Sequence, residues 1–149
     1  MLIDMAVCLP RDAPTVALVR TAITNTLGLI GVDRDCIDDI ALAVSEACTN
    51  VIQHAATDDE YEVSVHVDDT RCTISVKNTG NGFDAAALAG TMPDPFSTRG
   101  RGVAIMQMVM DGIDFVSSPE AGTIVNLVRN LTFREDAPIL PQGRGGRPT

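Results

Sequence analysis

Ile40-Ala-Leu-Ala-Val-Ser-Glu46-Ala-Cys-Thr-Asn50-Val-Ile-Gln-His54-Ala55 is the stretch on which the reading of this chain turns. At about 100° per residue, Ile37, Ile40, Ala41, Val44, Cys48, Val51 and Ala55 fall on one apolar stripe. The spacing predicts a helix from Asp33, placed to act as its N-cap, to about Ala55. Glu46 and Asn50 stand four residues apart on roughly the opposite side, with His54 one turn further on. A polar helix face is ordinarily just wet. Here Leu42 and Ala43 flank the pair, which an ordinary solvated face would not require. A carboxylate and an amide carbonyl at this spacing can hold a water and a hard cation. Magnesium takes oxygen donors, keeps several waters and shares phosphate oxygens with few protein groups, so one Asn carbonyl would suffice.

Two glycine-bearing segments come next along the chain. Ile74-Ser-Val-Lys-Asn78-Thr-Gly80-Asn-Gly82-Phe83-Asp84 reads as a strand that ends where Gly80 and Gly82 let backbone approach a ligand. A strand-terminating turn is the simpler alternative. Ser97-Thr-Arg99-Gly100-Arg101-Gly102-Val103-Ala-Ile-Met106 reads as a glycine-rich loop running into a helix over about Val103–Met110. Free N–H groups and the positive dipole end would make an anion site there, with Arg99 and Arg101 adding charge. An ordinary helix entry is the alternative. The segment lacks a preceding strand and a Gly-Lys-Ser/Thr ending, so neither a dinucleotide fingerprint nor a Walker loop is present.

Outward from these motifs, Leu2–Leu9 predicts a first strand stopped by Pro10. Pro14 suits the first turn of a helix along which Val16, Val19, Ile23, Leu27 and Ile30 recur, ended by Gly31. Alternation through Tyr61–Val67 and Cys72–Val76 around Asp68-Asp69 predicts an antiparallel hairpin. Ile113–Val116 and Thr123–Leu131 are the last two strands. The order β-α-α-β-β-loop-α-β-β predicts an α/β (α+β) two-layer sandwich, with helices on one face of a mixed, mostly antiparallel sheet. Residues 1–133 form one domain, and the Pro/Gly/Arg-rich stretch 134–149 reads as a disordered tail.

A formal charge of −9 disfavours direct binding to nucleic acid or to an anionic membrane surface. No apolar run reaches the roughly 20 residues of a membrane span, and the N-terminus lacks the pattern of a signal peptide, so a cytoplasmic protein is expected. Cys8, Cys36, Cys48 and Cys72 show no Cys-x-x-Cys pair and no ligand spacing to His54 or His66, so free, buried thiols are expected rather than disulfides or zinc.

The three motifs in this order resemble the GHKL superfamily of ATP-binding domains, with its Bergerat-type fold, and in their short form the bacterial anti-sigma-factor serine/threonine kinases. The resemblance runs from about Asp4 to Leu131. It implies ATP or ADP and Mg²⁺ as cofactors, Glu46 as general base and Asn50 as magnesium ligand. It implies nucleotide contacts from Gly80, Gly82 and Phe83, phosphate contacts from Arg99, Gly100, Arg101, Gly102 and Val103, and a contact near the adenine from Thr123. Arg20, on the first helix, matches a position that engages the sigma factor. A homodimer is also implied. Two positions depart from the pattern. Asn78 stands where the family has an aspartate that accepts from the adenine amine, so a weaker, less base-selective pocket is expected. Ala104 stands where a third glycine is common.

The leading expectation is therefore an anti-sigma regulator that sequesters a sigma factor and phosphorylates a Ser or Thr of an anti-anti-sigma antagonist. The alternative is a binding module that keeps the fold and works through protein contacts alone. A sensor-kinase fragment is the third reading, with no phosphoacceptor helix before the domain to support it.

Overall fold

The computed structural model describes residues 2–54, 60–78, 98–118 and 122–137. Eight elements run in the order β1 (Ile3–Pro10), α1 (Pro14–Ile30), α2 (Arg34–His54), β2 (Glu60–Val67), β3 (Arg71–Asn78), α3 (Thr98–Val109), β4 (Gly112–Ser118) and β5 (Gly122–Asn130). The helices cover one face of a five-stranded sheet ordered β1-β2-β3-β5-β4.

Local chemistry accounts for most boundaries. Pro14 opens α1, where its missing N–H is not needed. Val19, Ile23, Leu27 and Ile30 are its buried residues. Gly31 at φ 97° closes it, with Gly31 N–H on Gly28 C=O and Val32 N–H on Leu27 C=O, the Schellman pattern. Asp33 Oδ1 caps α2 through the Cys36 N–H at 2.9 Å. The β2–β3 turn is closed by Asp68, whose Oδ1 accepts from the backbone N–H groups of Thr70 (2.8 Å) and Arg71 (2.9 Å). Two hydrogen bonds and the Thr70 hydroxyl hold that carboxyl below the ordinary aspartate range.

Three expectations are corrected. Every described pairing is antiparallel, so the sheet is not mixed. The α3 crossover does make β4 run in the same direction as β3, but β5 returns between them and takes both ladders. Second, α3 begins at Thr98 and not near Val103, so Gly100 and Gly102 lie within the helix. Glycine disfavours helix by about 1 kcal/mol, and packing of α3 on α2 overrides that preference. Third, Arg134 belongs to the folded part. Its N–H bonds Gly31 C=O at 2.8 Å, and Val32 and Phe133 form an antiparallel bridge.

The core lies between the layers, where α2 packs between α1 and α3 and over β3 and β5. Val63, Val65, Val67, Cys72, Ile74, Val76, Val125 and Leu127 project into it from the sheet. Among the described cysteines none is disulfide-bonded, and three of the four are buried; Cys8 is exposed on the edge strand. Burial pushes the Cys48 and Cys72 thiols up to about 12. No helix among the described residues is long and apolar enough to cross a membrane.

Candidate functional site

The stripe on α2 is wider than its sequence periodicity indicates. Cys36, Ala43 and Ala47 are buried along with Ile37, Ile40, Val44, Cys48 and Val51. The helix packs on α3 as well as on the sheet, and at its start Cys36 reaches β5, its Sγ 3.5 Å from the Asn130 carbonyl oxygen. Glu46 and Asn50 consequently stand at the rim of the α2–α3 contact, half-buried, and not diametrically opposite the core. Leu42, one turn before Glu46, is exposed, whereas Ala43 is fully buried.

Gly102, buried on α3, meets this pair. A Cβ built on it would lie 2.9 Å from Glu46 Oε1, 3.6 Å from Asn50 Oδ1 and 3.7 Å from Asn50 Nδ2. The absent side chain thus leaves the α3 backbone as the wall against which the carboxylate and the amide rest. Residues from two of the three sequence motifs are brought to one point. Arg101, the next residue back, is exposed, and Val103 is half-buried against the core. Arg99 and Gly100 lie in the first turn of α3.

The third motif ends at the far margin of the sheet. Asn78 is the last residue of β3 and is fully buried. It pairs across the ladder with Tyr61 of β2. Lys77 pairs with Ile124 on the other side, so Thr123 lies one rung on, at the level of Asn78. Behind this row, the hydroxyls of Tyr61 and Thr15 are 2.6 Å apart. Burial raises the Tyr61 phenol. Gly80, Gly82 and Phe83 lie outside the described residues.

Arg20 is exposed on α1, and its Nη1 donates to Ser45 Oγ at 3.1 Å, so it lies along the outer seam between α1 and α2. Two supports were not visible in the sequence. Arg129 on β5 pairs with Asp39 of α2 at 2.9 Å and with Asp111, just after α3, at 3.4 Å. Asp111 Oδ2 also accepts the Asn130 N–H at 2.7 Å. This cluster ties α2, the end of α3 and the sheet together. The second support is the Thr15–Tyr61 pair. Both join a helix to a strand far away in the chain, a contact that carries no local sequence signal.

A divalent cation held by protein alone needs several donors that converge. Among the described residues no group of three or more His, Cys, Asp or Glu side chains converges. An all-protein cage is therefore not built there. A lone Asn carbonyl beside a carboxylate, on a wall with no side chain, is the donor set that suits a magnesium ion shared with phosphate oxygens.

The family model of the histidine kinase-like ATPase domain matches residues 9–129. The chain belongs to that family. It is similar to the serine-protein kinase RsbW of Bacillus velezensis, 32% identical over 134 residues that cover 83% of this chain and 82% of that protein. It is similar also to the serine-protein kinase RsbW of Bacillus licheniformis, 34% identical over 115 residues covering 70% and 72%. These matches place it with the RsbW proteins inside the family. In fold it resembles the crystal structure of the RsbU and RsbW domains of a Mycobacterium tuberculosis protein. The TM-score there is 0.67 at 21% identity, over 93% of this chain and 34% of that one, about a third of its length.

Proposed function

We propose that this family member is an anti-sigma serine/threonine-protein kinase. It binds Mg-ATP, sequesters a sigma factor and phosphorylates a Ser or Thr hydroxyl of an anti-anti-sigma antagonist. The observation that carries the reading is the meeting of Glu46, Asn50 and Gly102 at one point between α2 and α3. The similarity to named serine-protein kinases over most of the chain supports the reaction class.

In this reading Glu46 takes the proton of the acceptor hydroxyl while that oxygen bonds to the γ-phosphorus and the bond to the ADP oxygen breaks. Asn50 would hold Mg²⁺ through Oδ1, and the ion when bound supplies charge neutralisation on the phosphates. Gly102, with Arg99, Gly100, Arg101 and Val103, forms the phosphate side of the pocket, using the start of α3 as an anion site. Asn78 and Thr123 flank the base at one rung of the sheet, and Gly80, Gly82 and Phe83 contribute from the segment after β3. Arg20 contacts the sigma factor, a homodimer is the working unit, and the cytoplasm is where it acts.

Glu46→Gln tests the assignment. Transfer from labelled ATP should fall by about 10²–10⁴-fold, as for loss of a general base, while calorimetric Mg-ATP affinity stays within a few-fold. Unchanged transfer would remove Glu46 from that role. Absence of any heat with millimolar Mg-ATP and Mg-ADP would overturn the nucleotide reading itself.

A further inference from the structure

The proposed chemistry leaves one neighbour of Glu46 without a role. Leu42 stands one turn before it on α2 and is 43% exposed, whereas Ala43, Val44, Ala47 and Cys48 of the same helix are fully buried. Among the described residues of α2, Leu42 is the only large apolar side chain that is exposed. Helix propensity does not ask for leucine there, since Ala, Lys, Glu or Gln would serve an exposed position as well. A single exposed leucine is ordinary on a protein surface, so its place relative to the base is what gives it meaning.

Positions 38, 42, 46 and 50 are four apart and lie along one stripe of the helix. Asp38 is exposed, and Glu46 and Asn50 are half-buried. At 1.5 Å rise per residue, Leu42 lies about 6 Å along the axis from Glu46, and Asp38 about 6 Å beyond Leu42. The stripe therefore offers one apolar step beside the base and then a carboxylate. The α3 helix runs antiparallel along this stripe. Gly102 meets Glu46 and Asn50, and Asp111, just past the end of α3, shares Arg129 with Asp39. Ile105, one turn after Gly102 and half-buried, thus comes between the levels of Glu46 and Leu42 on the α3 side.

A hydroxyl brought to Glu46 arrives on a polypeptide. An extended chain advances about 3.3 Å per residue and turns alternate side chains to the same side. The side chain two places from the hydroxyl therefore faces the same way and lies about 6.6 Å on, close to the step from Glu46 to Leu42. The adjacent side chain faces away. We infer that Leu42 is a specificity-determining contact for the acceptor protein, receiving a bulky aliphatic side chain two residues from the phosphorylated Ser or Thr. The inference rests on the phosphoryl-transfer reading above. Ile105 borders the contact from α3, and Asp38 ends it, so a single aliphatic residue is accommodated.

The test uses the unaltered chain, Leu42→Ala and Leu42→Asp, with labelled ATP and the anti-anti-sigma antagonist that co-purifies with the chain. KM is measured separately for the antagonist and for Mg-ATP, and the phosphorylated residue is located by mass spectrometry. The antagonist's KM should rise a few-fold in Leu42→Ala and about 10-fold or more in Leu42→Asp, with KM for Mg-ATP within two-fold of the parent. Changing the antagonist's aliphatic residue two places from the phosphorylated site to Lys should raise KM with the unaltered chain and lower it again with Leu42→Asp. A merely structural role for Leu42 would not give that reversal. An unchanged antagonist KM in Leu42→Asp overturns the inference, whether or not sigma-factor binding is lost. A phosphorylated residue with no Ile, Leu, Met or Val two places away on either side also overturns it. No transfer at all by the unaltered chain would instead refute the proposed function, and this inference with it.

Discussion

Replacing Gly102 with alanine puts a methyl carbon 2.9 Å from Glu46 Oε1, closer than real Cβ atoms approach such a neighbour. Restoring ordinary contact at 3.4 Å or more requires a movement of at least 0.5 Å. The Asn50 amide atoms, at 3.6 and 3.7 Å, are already at ordinary contact and need not move. The clash therefore falls on the far end of one flexible side chain, and Glu46 is the group that gives way. Stability should not suffer. Alanine in a helix is favoured over glycine by about 0.5–1 kcal/mol, which for a domain of this size raises the melting temperature by up to about 2–4 °C. Catalysis should suffer, since a misplacement of about 1 Å can cost about 10²-fold. A shift of half that size at the proposed base should lower phosphoryl transfer by roughly 10- to 100-fold. Calorimetric Mg-ATP affinity, a thermal melt and transfer from labelled ATP to the acceptor protein would be measured on the same preparation. Full transfer by a folded Gly102→Ala protein would show that the position of Glu46 against α3 is irrelevant to the reaction. A fall in melting temperature of several degrees would instead show that α2–α3 packing could not absorb the methyl.

Three further outcomes are expected. Asn78→Asp should tighten Mg-ATP by about ten-fold and sharpen its preference over GTP, since a charged acceptor is worth about 1.5–3 kcal/mol against about 1 for a neutral one; identical affinities would mean that Asn78 does not read the base. Because Asn78 is fully buried, the same change should destabilise the unliganded protein, read as a lower melting temperature. Arg20→Glu should abolish co-elution with the sigma factor while changing stability by no more than about 0.5 kcal/mol, as for an exposed site, and retained co-elution would clear Arg20 of the contact. Asp33→Ala should cost about 1 kcal/mol at neutral pH through loss of the α2 cap. The Asp33 carboxyl is held below its ordinary 3.8 first by the Thr132 hydroxyl and then by the Cys36 N–H. Its contribution is therefore complete above that value and is lost as pH falls below it through the folded one. The gap between variant and parent should narrow as pH falls below 3.8, and a gap that widens in acid would contradict the assignment.

What could be read in the sequence was local. Pro14 and Gly31 bracket α1, Asp33 caps α2, and alternation around Asp68 gives the hairpin; each rests on contacts within a few residues. Glu46 and Asn50 were legible as a pair for the same reason, since a four-residue spacing stacks side chains on a helix. The insertion of β5 between β3 and β4 was not legible, because a strand's neighbour is chosen by the whole sheet. Nor was the start of α3. Gly100 and Gly102 argue for a loop by propensity, and only the packing of this segment against α2 makes a helix there worthwhile. Propensity puts Gly102 in a loop, whereas it lies within α3, and its approach to Glu46 joins residues 56 positions apart.

The long-range ties also bear on which half of the site is rigid. At its start α2 is fixed by Asp33, which takes the Cys36 N–H with one oxygen and the Thr132 hydroxyl with the other. A turn and a half later Asp39 is clamped by Arg129 from β5. Near its end the Ile52 carbonyl accepts from Arg11 Nη2 at 2.9 Å. Glu46 and Asn50 thus stand between anchors to the sheet and to the segment after β1. The end of α3 shares in this network through Asp111, while at its other end Gly102 meets α2 with no side chain of its own. A general base and a metal ligand gain most from being held in place before the substrate arrives, because reorganisation during reaction raises the barrier. If Glu46 and Asn50 act as proposed, their place on a helix anchored at both ends, facing the bare backbone at Gly102, would meet that requirement.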